Sequence, residues 1–534
     1  MFVVELAREN LSYDVHSLVK AFYPGEQVKV LTDATDGEEK QNLLQDAKMR
    51  ILFEKEDRIK VLFLQCTGQT EAAEGIAQTT QDASFGEAEQ HTVMRAYSRV
   101  IAPDVLGGFK NAFKAFLYES LCDYTGKKLP WGNLTGIRPT KIVQTALSEG
   151  VSEAEIRRRM QDVHFVSEEK LNLSVEIAKR EIELLGHLSG ADGYSLYVGI
   201  PFCPTTCLYC SFTSYPIAAM RDKVETYIDC MIKEMRETAR IMQGKVLDTV
   251  YIGGGTPTTL ESEQLDRLIT ALETYFDMAH VKEFTVEAGR ADSITREKLE
   301  VLRKHGVSRI SVNPQTMNEE TLKFIGRRAS AAATIEAYHL AREVGFDNIN
   351  MDIIIGLPGE TEKDVARTIE IIEGLKPESL TVHSLAIKRA SKLRRFIEEN
   401  GMSLLQGGDE MMEIAAAGAA RMRMHPYYLY RQKNMSGNLE NVGFAKEGAY
   451  GIYNILIMEE VQTIVALGAG SITKRVYPAA PGDGVCGPSG RMAPGDGVRV
   501  PSGRIERCDN VKDVDLYIEK IDEMIERKRK LFAE

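Results

Sequence analysis

The sequence predicts an α/β protein built on a six-unit (βα) barrel, closed or partly closed, with an N-terminal α+β domain before it and a mostly helical extension after it. Three observations predict this. Between Tyr194 and Leu385 short apolar runs of β type alternate with amphipathic segments at helical spacing. Such alternation belongs to parallel strands, which need crossover connections long enough to hold a helix. A chain of 534 residues also exceeds one ordinary core, so two or three domains are expected.

The first domain, over 1–165, carries the β-type runs Val28–Leu31, Met49–Phe53 and Arg58–Leu64, the last two joined by the charged turn Glu54–Asp57. Helices are expected over Val93–Ala102 and Gly108–Cys122. A loop punctuated by Gly and Pro follows at Pro130–Thr140 and holds the only tryptophan, Trp131. Residues 166–192 read as a helical linker, with Leu171, Val175, Ala178, Ile182 and Leu185 on one face. The core, over 193–390, has strands at Ser195–Ile200, Thr249–Gly253, Glu283–Glu287, Ser308–Val312, Asn348–Ile355 and Leu380–His383. A C-terminal domain over 391–534 carries a Gly- and Pro-rich insertion near 478–507. Within it Pro481–Ala493 is repeated by Pro494–Glu506 at nine of thirteen positions. That composition cannot build a core and reads as a flexible surface insertion.

A formal charge of −12, from 66 basic and 78 acidic residues, provides no general attraction to nucleic acid or to an anionic membrane. The opening MFVVELAREN meets Glu5 almost at once and does not read as a signal peptide, and no run is apolar enough to span a bilayer. Eight cysteines, three of them within eight positions, read as a metal site in a reducing cytoplasm and not as a disulfide framework. A cytoplasmic location is therefore expected, with no nucleic-acid partner and no stable membrane insertion.

The decisive passage is YVGIPFCPTTCLYCSF, where Cys203, Cys207 and Cys210 follow the spacing C-x3-C-x2-C directly after a strand. A closed zinc site or ferredoxin-type cluster takes a fourth protein ligand, whereas three thiolates on a four-iron cluster leave one iron open. Ser211, Phe212 and Thr213 supply no fourth ligand. Each later strand then delivers something to the same end of the barrel, where active sites collect. Strand two runs into Gly253, Gly254, Gly255, Thr256 and Pro257, whose glycines let backbone approach a ligand. Strand three ends at Glu287, strand four precedes Gln315, and strand five carries Asp352 in an apolar run, where a carboxylate must be hydrogen-bonded or face a cavity. Tyr197 reads equally as a core residue, and Arg327 equally as a solvated surface charge. His383, at the end of strand six, reads as structural. Cys66, Cys122 and Cys230 read as small buried residues.

IPFCPTTCLYCSFTSYP, YIGGGTPTTL and GLPGET resemble the radical S-adenosylmethionine (SAM) superfamily, and within it the oxygen-independent coproporphyrinogen III oxidase group. YLYRQKNMSGNLENVGFA, Tyr428–Ala445, is similar to the HemZ-type branch. The resemblance covers about Tyr194 to Lys474 and implies a partial (βα)6 radical-SAM barrel with a [4Fe-4S] cluster on the three cysteines and SAM beside it. It further implies that Gly254, Gly255 and Thr256 face the SAM amino group, Glu287 is a cofactor-contacting acid, Gln315 and Asp352 meet the ribose hydroxyls, and Arg327 pairs with the methionine carboxylate. Tyr197 joins these as a candidate contact. No catalytic side chain is expected beyond cluster and cofactor.

The activity implied is oxidative decarboxylation of coproporphyrinogen III propionates to vinyl groups in haem biosynthesis, with flavodoxin or ferredoxin as electron donor. A tetrapyrrole bearing carboxylates needs basic groups near the barrel mouth. Lys388 and Arg389, Arg431 and Lys433, or Arg138 and Lys141 could supply them, though each by itself reads first as an ordinary solvated charge. The chain departs from the established oxidases at Phe212, where they have a fourth cysteine, and at Gly199, where they have histidine. The alternatives are a haem-binding chaperone and a different radical reaction on a porphyrin. Against the chaperone, YNILIM at Tyr453–Met458 stands where that branch has H-N-x-x-Y-W.

Overall fold

Runs such as FVVEL and VKVL place β-branched residues where a pleated, half-buried surface favours them. In the computed structural model, which describes residues 1–24, 26–54, 57–66, 91–105, 108–386, 391–400, 408–432, 439–477 and 504–533, they open a five-stranded sheet. The described residues fall into two units. The first comprises Met1–Pro139 and Val151–Leu173. Its strands are β1 Phe2–Leu6, β2 Val28–Leu31, β3 Ala47–Phe53, β4 Arg58–Cys66 and β5 His91–Val100, in the order β2-β1-β3-β4-β5. β1 runs parallel to β2 and β3, and the β3-β4-β5 pairs are antiparallel. Val15, Leu18 and Phe22 of helix Ser12–Phe22 and Phe113 and Leu117 of helix Phe109–Thr125 pack on this sheet.

The helix expected over Val93–Ala102 is corrected here, because the chain forms β5 instead. Its backbone is satisfied by the ladder to β4, and alternate residues Arg95, Tyr97 and Arg99 reach Asp123 and Glu119 on the neighbouring helix. The strand is imposed by a partner more than two dozen residues away, which local pattern does not register.

The second unit comprises Thr140–Gly150 and the chain from Ser174 onward. Its strands are β6 Gly193–Ile200, β7 Phe202–Cys203, β8 Tyr215–Pro216, β9 Val246–Gly254, β10 Glu283–Gly289, β11 Arg309–Val312, β12 Ile349–Ile355, β13 Ser379–Ser384, β14 His425–Tyr430, β15 Asn441–Ala445, β16 Thr463–Leu467, β17 Ile472–Val476 and β18 Ile505–Asp509. The six strands predicted for the barrel are β6 and β9 to β13, all parallel and neighbouring in that order. Crossover helices such as Ser262–Tyr275, Ala331–Val344 and Glu362–Leu375 join them, and Ser330 and Thr361 provide side-chain caps at the starts of the last two.

Their pairing is open, since β6 and β13 do not meet. β13 takes β15 antiparallel, with β14 beyond it, and β6 takes β16 parallel, with β17 and β18 beyond that, making a sheet of eleven strands. The stretch after β13 has more helix than strand, yet its five strands extend the barrel sheet at both ends, which sequence periodicity did not reveal. The repeat from Pro481 lies outside the described residues, apart from its last three positions.

A buried ion pair anchors this extension. Lys528, on helix Ile521–Phe532, donates from Nζ to Glu234 at 2.8 Å and to the Ala466 carbonyl at 2.7 Å. Glu234 also accepts from Asn510, Tyr517 and the Gly468 amide. Gly468, at φ +93°, sits where a Cβ would come within 2.4 Å of the Gly199 carbonyl and 2.6 Å of Tyr227 Oη. Gly448, at φ +78°, has nothing within 4 Å of that position. Gly468→Ala should therefore destabilise the fold by clearly more than the ~1 kcal/mol scale of backbone strain, whereas Gly448→Ala should show strain alone. Denaturant midpoints of the two variants measure the difference.

Candidate active site

Strand β6 ends at Ile200, and Pro201 turns the chain into the cysteine loop. Phe202 is fully buried against Tyr227, with ring centroids 5.3 Å apart. The loop is then tied to its neighbours by backbone. The Leu208 amide donates to the Ile325 carbonyl at 2.9 Å, and the Cys210 amide to the Cys207 carbonyl at 3.2 Å. None of Cys203, Cys207 and Cys210 is in a disulfide, and all three line one cavity of about 340 Å³ in the second unit.

The glycine run after β9 docks directly on this loop. The Gly255 and Thr256 amides donate to the Ile200 and Phe202 carbonyls, each at 2.7 Å, and a Cβ at Gly255 would lie 2.4 Å from the Phe202 carbonyl oxygen. The Gly254 amide donates to Glu287 Oε2 at 3.3 Å. The amides of Gly254, Gly255 and Thr256 are thus engaged within the protein, and glycine is required at 255 because two backbones touch. Thr256 Oγ1 donates to Cys203 Sγ at 3.5 Å. Burial pushes the metal-free Cys203 thiol up to about 11.

Glu287 faces the cavity, accepts a hydrogen bond from Tyr251 Oη and is pushed up to about 7, chiefly by burial, with Asp352 adding repulsion. Asp352 accepts from Asn350 Nδ2 at 2.6 Å and lies 3.9 Å from His383 Nε2. Burial raises its carboxyl, but His383 and the Asn350 bond outweigh this and hold it low.

Gln315 adopts φ +67° and is locked there, its amide donating to the Asp352 carbonyl at 2.9 Å and its carbonyl accepting from Ile354 at 2.8 Å. A non-glycine residue in that conformation costs about 1–3 kcal/mol and persists where the surroundings over-determine it. Arg327 donates to the Asn313 carbonyl at 2.6 Å and to Tyr209 Oη at 3.3 Å, and its buried Nε has no partner. Burial opposes its charge, while Tyr209 and Cys207 more than restore it.

The structure thus gathers the three cysteines, Gly254, Gly255, Thr256, Glu287, Gln315, Arg327 and Asp352 around one cavity. Tyr197 is not among the lining residues. Its ring stacks with Tyr251 and Tyr453, at centroid distances of 6.3 and 6.1 Å. His383, read as structural, lines the cavity beside Asp352, and its position at a strand end was the available signal. Arg290 and Arg309 also line the cavity and were missed, since each reads in sequence as an ordinary charge.

Of the basic groups considered for substrate carboxylates, Lys388, Arg389 and Lys433 lie outside the described residues. Lys141 turns to Glu459, donating to its carbonyl at 3.3 Å. Arg431 is only 6 % exposed and is pulled down to about 10 by burial, and neither it nor Arg138, in the first unit, lines the cavity. Among the described residues the cavity's guanidinium groups are Arg290, Arg309 and Arg327.

The model of the radical SAM superfamily matches residues 197–372. The oxygen-independent coproporphyrinogen-III oxidase-like protein HemZ of Bacillus subtilis is 41 % identical over 411 residues, covering 75 % of this chain and 82 % of that one. The chain belongs to this HemZ-like branch of the radical SAM superfamily. The heme chaperone HemW of Bacillus subtilis is 32 % identical over 280 residues, covering 52 % of this chain and 70 % of its own. The structure of coproporphyrinogen III oxidase HemN from Escherichia coli aligns with a TM-score of 0.48 and 20 % identity, over 64 % of this chain and 72 % of that one.

Membership of the superfamily implies a [4Fe-4S] cluster and SAM. Among the described residues no group of three or more His, Cys, Asp or Glu is disposed to hold a single metal ion. The donor set suits a cluster instead, with three thiols on one loop, polar hydrogens from Thr256 and Arg290 directed at two of the sulfurs and, among the described residues, no fourth cysteine lining the cavity. No helix among the described residues is long and apolar enough to cross a membrane.

The raised Glu287 carboxyl yields a test in the metal-free protein. The folded chain holds that proton up to about pH 7, whereas the unfolded chain, at its ordinary 4.5, has already released it. The group's contribution to stability is therefore full below 4.5, declines by at most about 1.4 kcal/mol per pH unit between there and about 7, and is level above. Glu287→Gln should remove that decline in urea titrations across the window.

Proposed function

We propose that this chain is a radical SAM enzyme acting on a tetrapyrrole, and that it decarboxylates the propionate side chains of coproporphyrinogen III to vinyl groups without oxygen. The observation carrying this reading is the convergence of three thiols with Glu287, Gln315, Arg327 and Asp352 on one cavity. The name of the Bacillus subtilis relative supports the substrate class. A bound cluster and SAM would supply a one-electron cleavage that delivers a 5′-deoxyadenosyl radical. Cys203, Cys207 and Cys210 would hold the cluster.

Arg327 offers its unpartnered Nε and its charge to a carboxylate. Asp352 accepts hydrogen bonds from hydroxyls, and Gln315, fixed by its backbone, can both donate and accept. Glu287, pushed up to about 7 chiefly by burial, puts less negative charge beside Asp352 below neutrality than an ordinary glutamate would. A one-electron donor of flavodoxin or ferredoxin type would feed the cluster.

A second reading, a haem chaperone, is favoured by the similarity to HemW and by Phe212, which is 69 % exposed at the cavity where the oxidases carry a fourth cysteine. Anaerobic incubation of the reconstituted chain with SAM, reductant and coproporphyrinogen III separates the two. Release of carbon dioxide with protoporphyrinogen supports the enzyme. Retention of haem at one equivalent with no turnover supports the chaperone. Formation of neither 5′-deoxyadenosine nor methionine under any condition overturns the radical reading.

A further inference from the structure

The cavity wall holds a buried cation to which the roles above assign nothing. Arg290 follows Gly289 at the end of β10 and is 4 % exposed. Its backbone is pinned, the amide donating to the Ala288 carbonyl at 2.7 Å and the carbonyl accepting from Ser293 Oγ at 2.8 Å. The guanidinium is divided among three partners. On one edge Nε and Nη2 donate to the two Asp292 carboxylate oxygens at 2.9 and 2.7 Å. On the other, Nη1 donates to Thr205 at 2.9 Å, through both its carbonyl and its hydroxyl, and points at Cys207 Sγ from 3.7 Å.

We infer that Arg290 is a positioning residue that raises the reduction potential of the cluster through its N–H contact with the Cys207 sulfur, with Asp292 setting how much of the charge is felt. The inference rests on the reading that Cys203, Cys207 and Cys210 hold a [4Fe-4S] cluster. One-electron reduction places an added negative charge on cluster and thiolates. A buried N–H donor and a cation at one sulfur therefore favour the reduced form, more strongly than in water because the site is desolvated. Cys207 is the most buried of the three thiols, at 7 % exposure, so water competes least there.

Asp292 has two opposed effects on this arrangement. It fixes the guanidinium plane by a bidentate contact, and its own charge offsets part of the arginine's. Thr205 also donates from Oγ1 to the Gly326 carbonyl at 3.0 Å, next to Arg327. Both arginines therefore bear on the same stretch of the loop. A purely structural Arg290 would hold that loop without regard to the sign of the charge, and this difference makes the two roles separable.

The test is an anaerobic redox titration of reconstituted full-length protein with dithionite as the one-electron source, followed by visible absorbance and by the electron paramagnetic resonance of the reduced cluster. At a fixed potential the reduced-to-oxidised ratio in Arg290→Gln should fall at least tenfold, equivalent to 59 mV for one electron. Arg290→Lys, which keeps a charge and a donor, should recover part of that loss. Asp292→Asn, which removes the offsetting charge, should move the ratio the opposite way, upward. Ratios within twofold of wild type in both Arg290→Gln and Asp292→Asn overturn the inference, as does a fall in both. If Arg290→Gln fails to take up a cluster, the direction of Asp292→Asn decides. A wild-type chain that takes up no cluster overturns the underlying cluster reading and the inference with it.

Discussion

Cys207→Ala protein, reconstituted anaerobically with iron and sulfide, is expected to stay colourless where the wild-type chain turns brown. Among described residues the cavity has no further cysteine to replace the lost ligand, and two thiols with two open edges do not hold a four-iron cluster. The pocket around residue 207 reinforces the expectation. Arg290, Arg327 and Tyr209 surround that sulfur, an arrangement suited to an anion and unsuited to a methyl group. The substitution removes only one sulfur from a loop held by Leu208, Cys210 and Gly255 backbone bonds, so the fold should survive. Unchanged circular dichroism with lost absorbance near 400 nm would assign the residue as a ligand. Retained absorbance would falsify the assignment.

Lys528→Ala is expected to destabilise the second unit by ~3–5 kcal/mol, since it strands a fully buried carboxylate. The Lys528 and Glu234 side chains are 1 % and 0 % exposed. Burial alone would raise the Glu234 carboxyl, but Lys528, Tyr517 and Asn510 together hold it below its ordinary value. With a folded value below the unfolded one, the pair's contribution is full above the unfolded value and is lost as pH falls through the folded value.

Replacing both partners, as in Glu234→Gln with Lys528→Met, should cost much less than the single change, because no charge is left unpaired. Chemical denaturation of wild type, single and double variants measures this. Equal losses in single and double variants would sink the account. The same network orients Gly468 against Gly199, at the root of the cysteine loop, so Lys528→Ala should also lower cluster uptake even though it lies far along the chain.

The six barrel strands were legible because each carries a short apolar run between amphipathic helical segments, a pattern local in sequence. The three cysteines were legible because ligand spacing within one loop survives folding unchanged. Asp352 stood out as a carboxylate in an apolar strand, and its cavity position with Asn350 and His383 answers the expected cost of burial. β5 was misread because its strand character comes from β4. Lys528 was invisible for a related reason. In IDEMIERKRKLF it is one charge among many, and only the docking of that helix distinguishes it from its solvated neighbours.

By itself, then, the sequence determined the barrel class, three cysteines at a spacing suited to a cluster and the polar residues at the ends of strands three to five, since all of these follow from periodicity and spacing along a few dozen residues. Tertiary structure alone decided that Tyr197 stacks with two other tyrosines and does not line the cavity. It also decided that the glycine run presses on the cysteine loop, that β16 closes on β6 across more than 250 residues of chain, and that Arg290 reaches Cys207. The physical reason is common to all four. Each depends on close approach between segments remote in sequence, and such contacts are set by packing and desolvation, which no local pattern encodes.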